Sequence, residues 1–157
     1  MVIIEKKNIG NNIRSLLGAV IATCAVIFPI ASSGDRSPVS STYRMPTGEL
    51  AICTDHTDGV RMNDVATSDQ CLAFLKEDIY RATNHVAYMT PKITDHPNIF
   101  IAATEFTFKS GKKSYTDSPM LKYFNRGEWK MGCQAFEGYA ITHSLTIKPA
   151  RYNCVKE

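Results

Sequence analysis

The stretch "IFIAATEFTF", residues 99–108, decides the predicted fold. It ends in the alternating residues Phe106, Thr107 and Phe108, and a period of two predicts a β-strand. Residues 114–124, 129–136 and 139–147 follow with a similar pattern, and the turn-like segments "KSGKK", "NRGE" and "EG" separate them. Together the four segments predict an antiparallel meander.

Two further elements precede the predicted sheet. Residues 68–83, "SDQCLAFLKEDIYRAT", predict one helix, because Thr67 and Gln70 can form a capping box ahead of apolar residues at helical spacing. Residues 49–55 and the Asp-Gly turn after them predict a small hairpin. The predicted fold class is therefore α+β, with an N-terminal β-hairpin and one α-helix packed on an antiparallel sheet of about four strands.

The first third of the chain predicts export. Residues 1–33 carry cationic residues, then the apolar run "LLGAVIATCAVIFPIA", then small residues, which is the pattern of a cleaved signal peptide. A membrane anchor is the alternative, but the run is shorter than the roughly 20 residues that a spanning helix needs, and Pro29 lies near its end. Residues 34–48 are polar with two prolines and predict a flexible leader, which leaves residues 49–157 as the domain.

The charge of the chain limits its partners. Loss of the three cationic residues and Glu5 with the signal lowers the formal net charge from +3 to about +1. Binding to nucleic acid through the overall field of the molecule is therefore excluded, and any such binding needs a local patch. We expect no DNA partner, no membrane contact after signal cleavage, and a monomer.

The cysteine pattern predicts a disulfide-stabilised domain. Cys24 leaves with the signal, and four cysteines remain in a secreted chain: Cys53, Cys71, Cys133 and Cys154. Two disulfides are expected, with three possible pairings. The predicted sheet favours a bridge from the helix at Cys71 to Cys133, with Cys53 joined to Cys154. No short Cys-x-x-Cys spacing is present and no pair of cysteines has a histidine nearby at ligand spacing, so a metal site is not expected. No cofactor is expected either.

The pairing register of the predicted sheet gathers polar residues on one surface. Side chains alternate between the two faces of a strand, so the turns decide which residues share a face. The two turn positions that fit the hairpin before Trp129 give the same set: Asp117, Leu121, Tyr123, Glu128, Lys130, Gln134 and His143. The register fixes the surface and leaves open the distance between Asp117 and His143.

Three short segments carry a resemblance to a known family. "AITH" (residues 140–143), "DSPML" (residues 117–121) and "YNC" (residues 152–154) occur in the order of segments in fungal secreted guanyl-specific ribonucleases. The chain resembles in particular the ribonuclease-like effectors that powdery mildews secrete from haustoria. The resemblance implies a curved ribonuclease sheet in which Asp117 is the general base and His143 the general acid of RNA cleavage.

Two positions depart from that family. Glu128 stands where the family has the arginine that stabilises the charged phosphate, and Thr90 and Pro91 stand near the position of its second histidine. Losing such a cation removes roughly 3–4 kcal/mol of transition-state stabilisation. The resemblance therefore implies a secreted effector without ribonuclease activity, delivered into a host cell, that binds host RNA or host protein through the open sheet face.

Several residues are candidates for that binding. Lysines near aromatic residues can hold phosphates while the rings stack on bases, and the candidates are Lys109, Lys112, Lys113, Tyr115, Tyr123, Lys130 and Gln134. A charged hairpin tip that protects a sheet edge is the alternative explanation for the lysines. His56 and His85 lie next to turn and helix-end signals and are interpreted as solvated.

Two other functions stay open. The first is an active secreted endoribonuclease that uses Asp117 and His143. The second is a bacterial periplasmic inhibitor or immunity protein built on a similar small disulfide-bonded domain. A strand order that differs from the ribonuclease fold would favour the inhibitor or immunity protein. Cleavage of RNA by the purified protein would favour the active endoribonuclease over the inactive effector.

Overall fold

The computed structural model describes residues 38–143 and Cys154, so the predicted signal at residues 1–33 lies outside the described part. Helices dominate this part of the chain. Its elements are β1 (Pro38–Ser41), β2 (Tyr43–Arg44), β3 (Leu50–Ala51), β4 (Val65–Thr67), α1 (Ser68–Met89), a 3₁₀ helix (Pro91–Asp95), α2 (Pro97–Ser110), α3 (Lys112–Thr116), α4 (Pro119–Asn125) and α5 (Trp129–His143). None of the described helices combines the length and apolar character needed to cross a membrane.

The chain divides into two compact units between Asp78 and Ile79. In the N-terminal unit, β1 pairs with β4 and β2 pairs with β3, both antiparallel. The hairpin predicted from residues 49–55 is not formed. Strand β3 pairs with the preceding strand β2 and not with a strand that follows the Asp-Gly turn. Strands β1 and β2 also fall within the segment 34–48 that was interpreted as a leader.

The capping box at the start of α1 is confirmed. The backbone N–H of Thr67 donates to Oε1 of Gln70 at 2.9 Å, and the N–H of Gln70 donates to Oγ1 of Thr67 at 3.3 Å. These reciprocal bonds satisfy two amides that the first turn of a helix leaves without partners. The helix continues to Met89, six residues beyond the predicted end, and Pro91 opens the next turn.

The predicted sheet of about four strands was wrong, because those segments form helices α2 to α5. Residues 99–108 are rich in β-branched and aromatic side chains, which favours strands only where a sheet surface is available to pack them. Residues 102–107 are buried at every position, as expected for a helix that is surrounded by other elements on most sides. The α+β fold class with a ribonuclease-like sheet is thereby replaced by a helix-rich fold.

The helix boundaries explain the positions of two prolines, a serine and a glycine. Pro97 and Pro119 lie in the first turns of α2 and α4, where a missing backbone N–H costs nothing. Ser118 caps α4 by accepting a hydrogen bond from the N–H of Leu121 at 3.3 Å. Gly111 separates α2 from α3 with a φ of 86°, a conformation that favours glycine.

The hydrophobic core of the C-terminal unit fills the space between these helices. Its large members include Phe100, Phe106, Tyr115, Phe124 and Phe136, all at most 1% exposed. A smaller cluster in the N-terminal unit joins Ile52, Ala66 and Cys71. Each unit therefore has its own apolar interior.

The cysteines form two disulfides, but the predicted pairing was wrong. Cys53 bonds Cys71 and Cys133 bonds Cys154, with sequence separations of 18 and 21 residues. The prediction placed Cys71 beneath a sheet that contained Cys133, and that sheet does not exist. Each observed bridge closes a short loop within one of the two units.

Candidate functional site

The N-terminal unit holds a buried histidine that pairs with an acid. His56 is 3% exposed, and its Nδ1 lies 2.8 Å from Oδ2 of Asp78 on α1. The imidazole also stacks on Phe74, with ring centroids 4.3 Å apart and an interplanar angle of 2°. The backbone N–H and C=O of His56 both bond to Ile52. These contacts fix the position of the loop that carries His56.

The loop before His56 has an unusual backbone. Cys53 and Asp55 have φ values of 57° and 61°, in the left-handed region that side-chain-bearing residues rarely adopt. The backbone N–H of Cys53 donates to Oγ of Ser40 at 2.9 Å, and its sulfur is bonded to Cys71. Aspartate is one of the residues that tolerate this conformation best. The loop is thus held on both sides of Asp55 in a conformation that costs free energy.

Asp55 itself is exposed and has a defined partner. The hydroxyl of Tyr43 on β2 donates to Oδ1 of Asp55. Partial burial and the nearby Asp55 carboxylate raise the pKa of Tyr43 above its usual value of 10.0. The phenol therefore remains protonated at neutral pH and acts as a hydrogen-bond donor to the carboxylate.

The two predicted catalytic residues do not lie in such a site. Asp117 is exposed at the C-terminal end of α3, and its carboxylate pairs with the ammonium group of Lys113 one turn earlier. His143 is the last residue of α5, and its side chain lies outside the described residues. The face that was predicted to hold both residues depended on a sheet that is absent from the described part of the chain.

The predicted binding residues lie on four separate helices. Tyr115 is fully buried, and its hydroxyl lies 2.8 Å from Oγ1 of Thr90, so its ring cannot stack on a ligand. Burial raises the pKa of Tyr115 to about 12. Lys109 pairs with Glu105 at 2.9 Å. The remaining candidates are half-buried or exposed on α3, α4 and α5, and their binding role stays a prediction: Lys112, Lys113, Tyr123, Lys130 and Gln134.

Sequence reasoning missed His56 and its partner. His56 was interpreted as solvated, because it lies next to a turn signal, yet it is buried. Asp78 is 22 residues away in the chain, and no local motif links it to His56. The available signal was the helix itself, since Phe74 and Asp78 are four residues apart and lie on the same side of α1.

No group of three or more potential metal ligands occurs among the described side chains. His56 and Asp78 are a pair of such groups, and they hydrogen-bond each other. The His56 imidazole holds and orients the carboxylate of Asp78. Asp55 is an exposed acid that accepts a hydrogen bond from the Tyr43 hydroxyl.

A helix-rich C-terminal unit and a small N-terminal unit of short strands are consistent with one large family. Residues 37–147 match the model of the phage lysozyme family, and the chain belongs to that family. It is 32% identical over 134 residues to the SAR-endolysin of Pseudomonas phage phiKMV, a match that covers 85% of this chain and 78% of that protein. It is also 30% identical over 87 residues to an endolysin of Acyrthosiphon pisum secondary endosymbiont phage 1, covering 55% and 59% of the two chains.

Solved structures show the same fold. The muramidase domain of SpmX from Asticaccaulis excentricus superposes with a TM-score of 0.56 at 18% identity, covering 90% of this chain and 88% of that one. The active form of the P1 phage endolysin Lyz gives 0.58 at 16% identity, covering 87% and 89%. At these identities the likeness concerns the fold alone.

The resemblance to fungal secreted ribonucleases was therefore wrong. Its three segments are short, and "DSPML" is the start of helix α4 instead of a catalytic strand. The family match also contradicts the functions that were predicted from the sequence. These were a fungal effector, an RNA-binding protein, a secreted endoribonuclease and a periplasmic inhibitor.

Proposed function

We propose that the protein hydrolyses the glycan strands of peptidoglycan, as an endolysin of the lysozyme type. The observation that carries this proposal is the family match over residues 37–147. The relatives named as endolysins support it, because the match to the phiKMV protein covers most of both chains. The fold likeness to a muramidase domain is consistent with it.

Hydrolysis of a glycosidic bond sets clear chemical requirements. Water adds across the bond, so the sugar at the anomeric carbon gains a hydroxyl group and the leaving oxygen gains a proton. Enzymes of this kind place two carboxyl groups on either side of the bond, one to protonate the leaving oxygen and one to balance positive charge on the sugar. The proposal therefore depends on acidic residues that face the substrate.

The acids of the N-terminal unit favour a second candidate function, binding to peptidoglycan without cleavage. A carboxyl group that donates a proton near neutral pH usually lies in an apolar pocket. Within residues 40–78, every carboxylate side chain is half-buried or exposed. Glu105 in the other unit is the buried acid of the described chain, and it already pairs with Lys109.

The export predicted for the chain suits a target in the cell wall. The relative from phage phiKMV is named a SAR-endolysin, and an endolysin acts on the wall. Release at the wall is therefore proposed for this chain as well. Delivery into a host cell has no support from these relatives.

One experiment separates cleavage from binding. The full chain, purified with its disulfides intact, is incubated with insoluble peptidoglycan, and new reducing ends and new free amino groups are measured in parallel. A glycan hydrolase releases reducing ends at a rate proportional to enzyme, whereas cleavage of the peptide bridges releases amino groups. Heat-denatured protein is the control.

The outcomes decide between the two candidates. Release of reducing ends, with glycan fragments of matching mass, supports the hydrolase. Protein that sediments with peptidoglycan without releasing reducing ends identifies the binding function and overturns the hydrolase. Release of amino groups without reducing ends would mean that the protein cleaves the peptide bridges and not the glycosidic bonds, which would overturn the proposed lysozyme-type activity.

A further inference from the structure

We propose that the C-terminal unit binds the surface of an anionic phospholipid bilayer through three cations, an exposed tyrosine and an exposed methionine. This group, called the cationic surface below, consists of Lys122, Arg126, Lys130, Tyr88 and Met131. The contact is peripheral, and it requires neither glycan cleavage nor the apolar run in residues 1–33. It departs from the expectation of no membrane contact, which was based on the net charge of the chain as a whole.

The first observation is the separation of charge along the chain. Residues 38–78 carry three lysine or arginine residues and seven acidic ones, a formal charge of −4, whereas residues 79–143 carry eight and five, a formal charge of +3. The point at which the charge changes sign is also the boundary between the two compact units. The C-terminal unit is therefore basic, and a basic unit is attracted to an anionic surface within a Debye length.

The second observation is that the cations near the turn between α4 and α5 lack acidic partners. Lys122, Arg126 and Lys130 are exposed, and none of them forms an ion pair within residues 38–143. By contrast, one lysine of α2 and one of α3 each pair with an acid one turn away. Glu128 is the one acid in the sequence from residue 122 to residue 134. Three cations are thus available to an external anion.

The backbone brings these three cations to one end of the unit. Residues 126–128 join α4 to α5 in a tight turn, in which the N–H of Glu128 donates to the carbonyl of Tyr123 at 3.0 Å. Lys122 and Arg126 are four residues apart at the end of α4, a spacing that makes side chains neighbours on a helix. Lys130 follows in the first turn of α5. Positive charge is therefore concentrated around this turn.

The third observation is that two large side chains are exposed beside the cations. Asn125 donates from Nδ2 to the carbonyl of Met89 at 3.1 Å, so the end of α4 lies beside the end of α1. Tyr88 in the last turn of α1 is 83% exposed, and Met131, which follows Lys130, is 45% exposed. Tyrosine is enriched at the headgroup level of bilayers, and cations next to apolar side chains are typical of surfaces that lie in the bilayer interface. These two side chains favour a bilayer over a dissolved phosphate polymer.

The single tryptophan of the chain provides a local readout for the test. Trp129 is half-buried at the start of α5, between Glu128 and Lys130. The full chain is titrated with phosphatidylglycerol vesicles that carry a spin label on the headgroup, and quenching of the Trp129 fluorescence is measured together with sedimentation of the protein. Phosphatidylcholine vesicles, which have no net charge, are the control. A spin label quenches only at short range, so attachment through residues 1–37 alone would leave the Trp129 fluorescence unchanged.

Charge substitutions test the electrostatic part of the contact. Arg126→Gln combined with Lys130→Gln should bind about 25-fold more weakly at about 0.1 M salt, since each cation near an anionic bilayer contributes a factor of about 5. Arg61→Gln combined with Lys76→Gln is the matched control, because it removes two exposed cations from the N-terminal unit. The control should stay within about 2-fold of the wild type. At about 1 M salt, where charges act over only about 3 Å, the two double variants should bind equally.

A substitution at Tyr88 tests the apolar part of the contact. Tyr88→Ser should weaken binding at least about 3-fold at both salt concentrations, because salt does not screen the transfer of an aromatic ring into the interface. Thermal unfolding confirms that each variant is folded.

The outcomes decide the proposal. Quenching of Trp129 by anionic vesicles that is lost in the Arg126 and Lys130 double variant and kept in the matched control supports it. Equal quenching by phosphatidylcholine, sedimentation without quenching, or equal affinities of the two double variants at about 0.1 M salt would overturn it. Displacement of the vesicles by soluble polyphosphate, together with a Tyr88→Ser variant that binds like the wild type, would overturn the bilayer and identify an anionic polymer as the ligand.

Discussion

The imidazole of His56 and the carboxylate of Asp78 face each other at 2.8 Å, although 22 residues separate them in the chain. The histidine is 3% exposed, and the side chain of Asp78 is 22% exposed. The contact joins the loop that carries Asp55 to the helix α1. A rigid loop in this unit therefore depends on a pair that no local motif encodes.

Replacing His56 by alanine should destabilise the protein strongly. The change removes the stacked ring, leaves a cavity beside Phe74 and deprives Asp78 of its partner. Together these losses should lower the free energy of unfolding by about 3 kcal/mol. The shift in the urea midpoint, measured without reductant, gives the value.

Asp78→Asn provides the comparison for that prediction. Asparagine keeps an oxygen that can accept a hydrogen bond from the imidazole, so we expect a loss of only about 1 kcal/mol. Glu77→Gln, an exposed acid next to it on α1, should change the stability by less than about 0.5 kcal/mol. Equal midpoints for the His56 variant and the wild type would contradict the structural role of the pair.

Local sequence signals predicted helix α1 correctly but did not predict the helices that follow it. A capping box and apolar residues at helical spacing are local signals, and they identified α1 correctly. Residues 99–108 carry β-branched and aromatic side chains, whose local preference opposes the helix that packing imposes. The prolines at 97 and 119 could have indicated helix starts, since proline is favoured in the first turn.

The candidate site was harder to predict than the helices. His56 and Asp78 meet only when the loop folds against α1. Tyr43 reaches Asp55 through the pairing of β2 with β3, which the sequence did not indicate. Disulfide connectivity likewise depends on the fold, because four cysteines allow three pairings with the same composition.

His85 should make the stability depend on pH. Its Nε2 lies 3.1 Å from Oγ1 of Thr116, and burial lowers its pKa below the usual 6.5, with the nearby Lys112 ammonium group lowering it further. The unfolded chain then binds the proton more tightly than the folded one, so protonation favours unfolding. The contribution of His85 is fully present above about pH 6.5 and is lost as the pH falls through the lower folded pKa.

Urea unfolding at several pH values tests this dependence. Between pH 7.5 and pH 5, the wild type should lose more stability than His85→Gln, which cannot take up the proton. Lys112→Gln should reduce the loss in the wild-type background, because it removes a positive charge near the imidazole. Parallel pH curves for the wild type and His85→Gln would show that the lowered pKa is absent.

The two disulfides should contribute similar amounts to stability. They close loops of 18 and 21 residues, and the chain-entropy model assigns about 3 kcal/mol to a loop of that size. Cys53→Ser with Cys71→Ser and Cys133→Ser with Cys154→Ser should each lower the free energy of unfolding by about that amount. Peptide mapping without reductant should recover both observed links, and a peptide joining Cys71 to Cys133 would contradict the fold.

Gly132→Ala should be destabilising even though alanine is the better helix former. A Cβ at this position would lie 2.1 Å from Cε1 of Phe124, far inside van der Waals contact. The Phe124 ring is buried and packs against Trp129 and Phe136, so it has little room to move. Overpacking of this kind should cost about 2 kcal/mol after the gain of up to about 1 kcal/mol in helix propensity.

A double-mutant cycle locates the cause of that loss. Phe124→Leu shortens the side chain that faces Gly132, so Gly132→Ala should cost clearly less in the Phe124→Leu background than in the wild type. The difference between the two costs measures the clash between these two residues directly. An equal cost of Gly132→Ala in both backgrounds would contradict the prediction, because it would show that the contact with Phe124 is not the reason why alanine is destabilising at position 132.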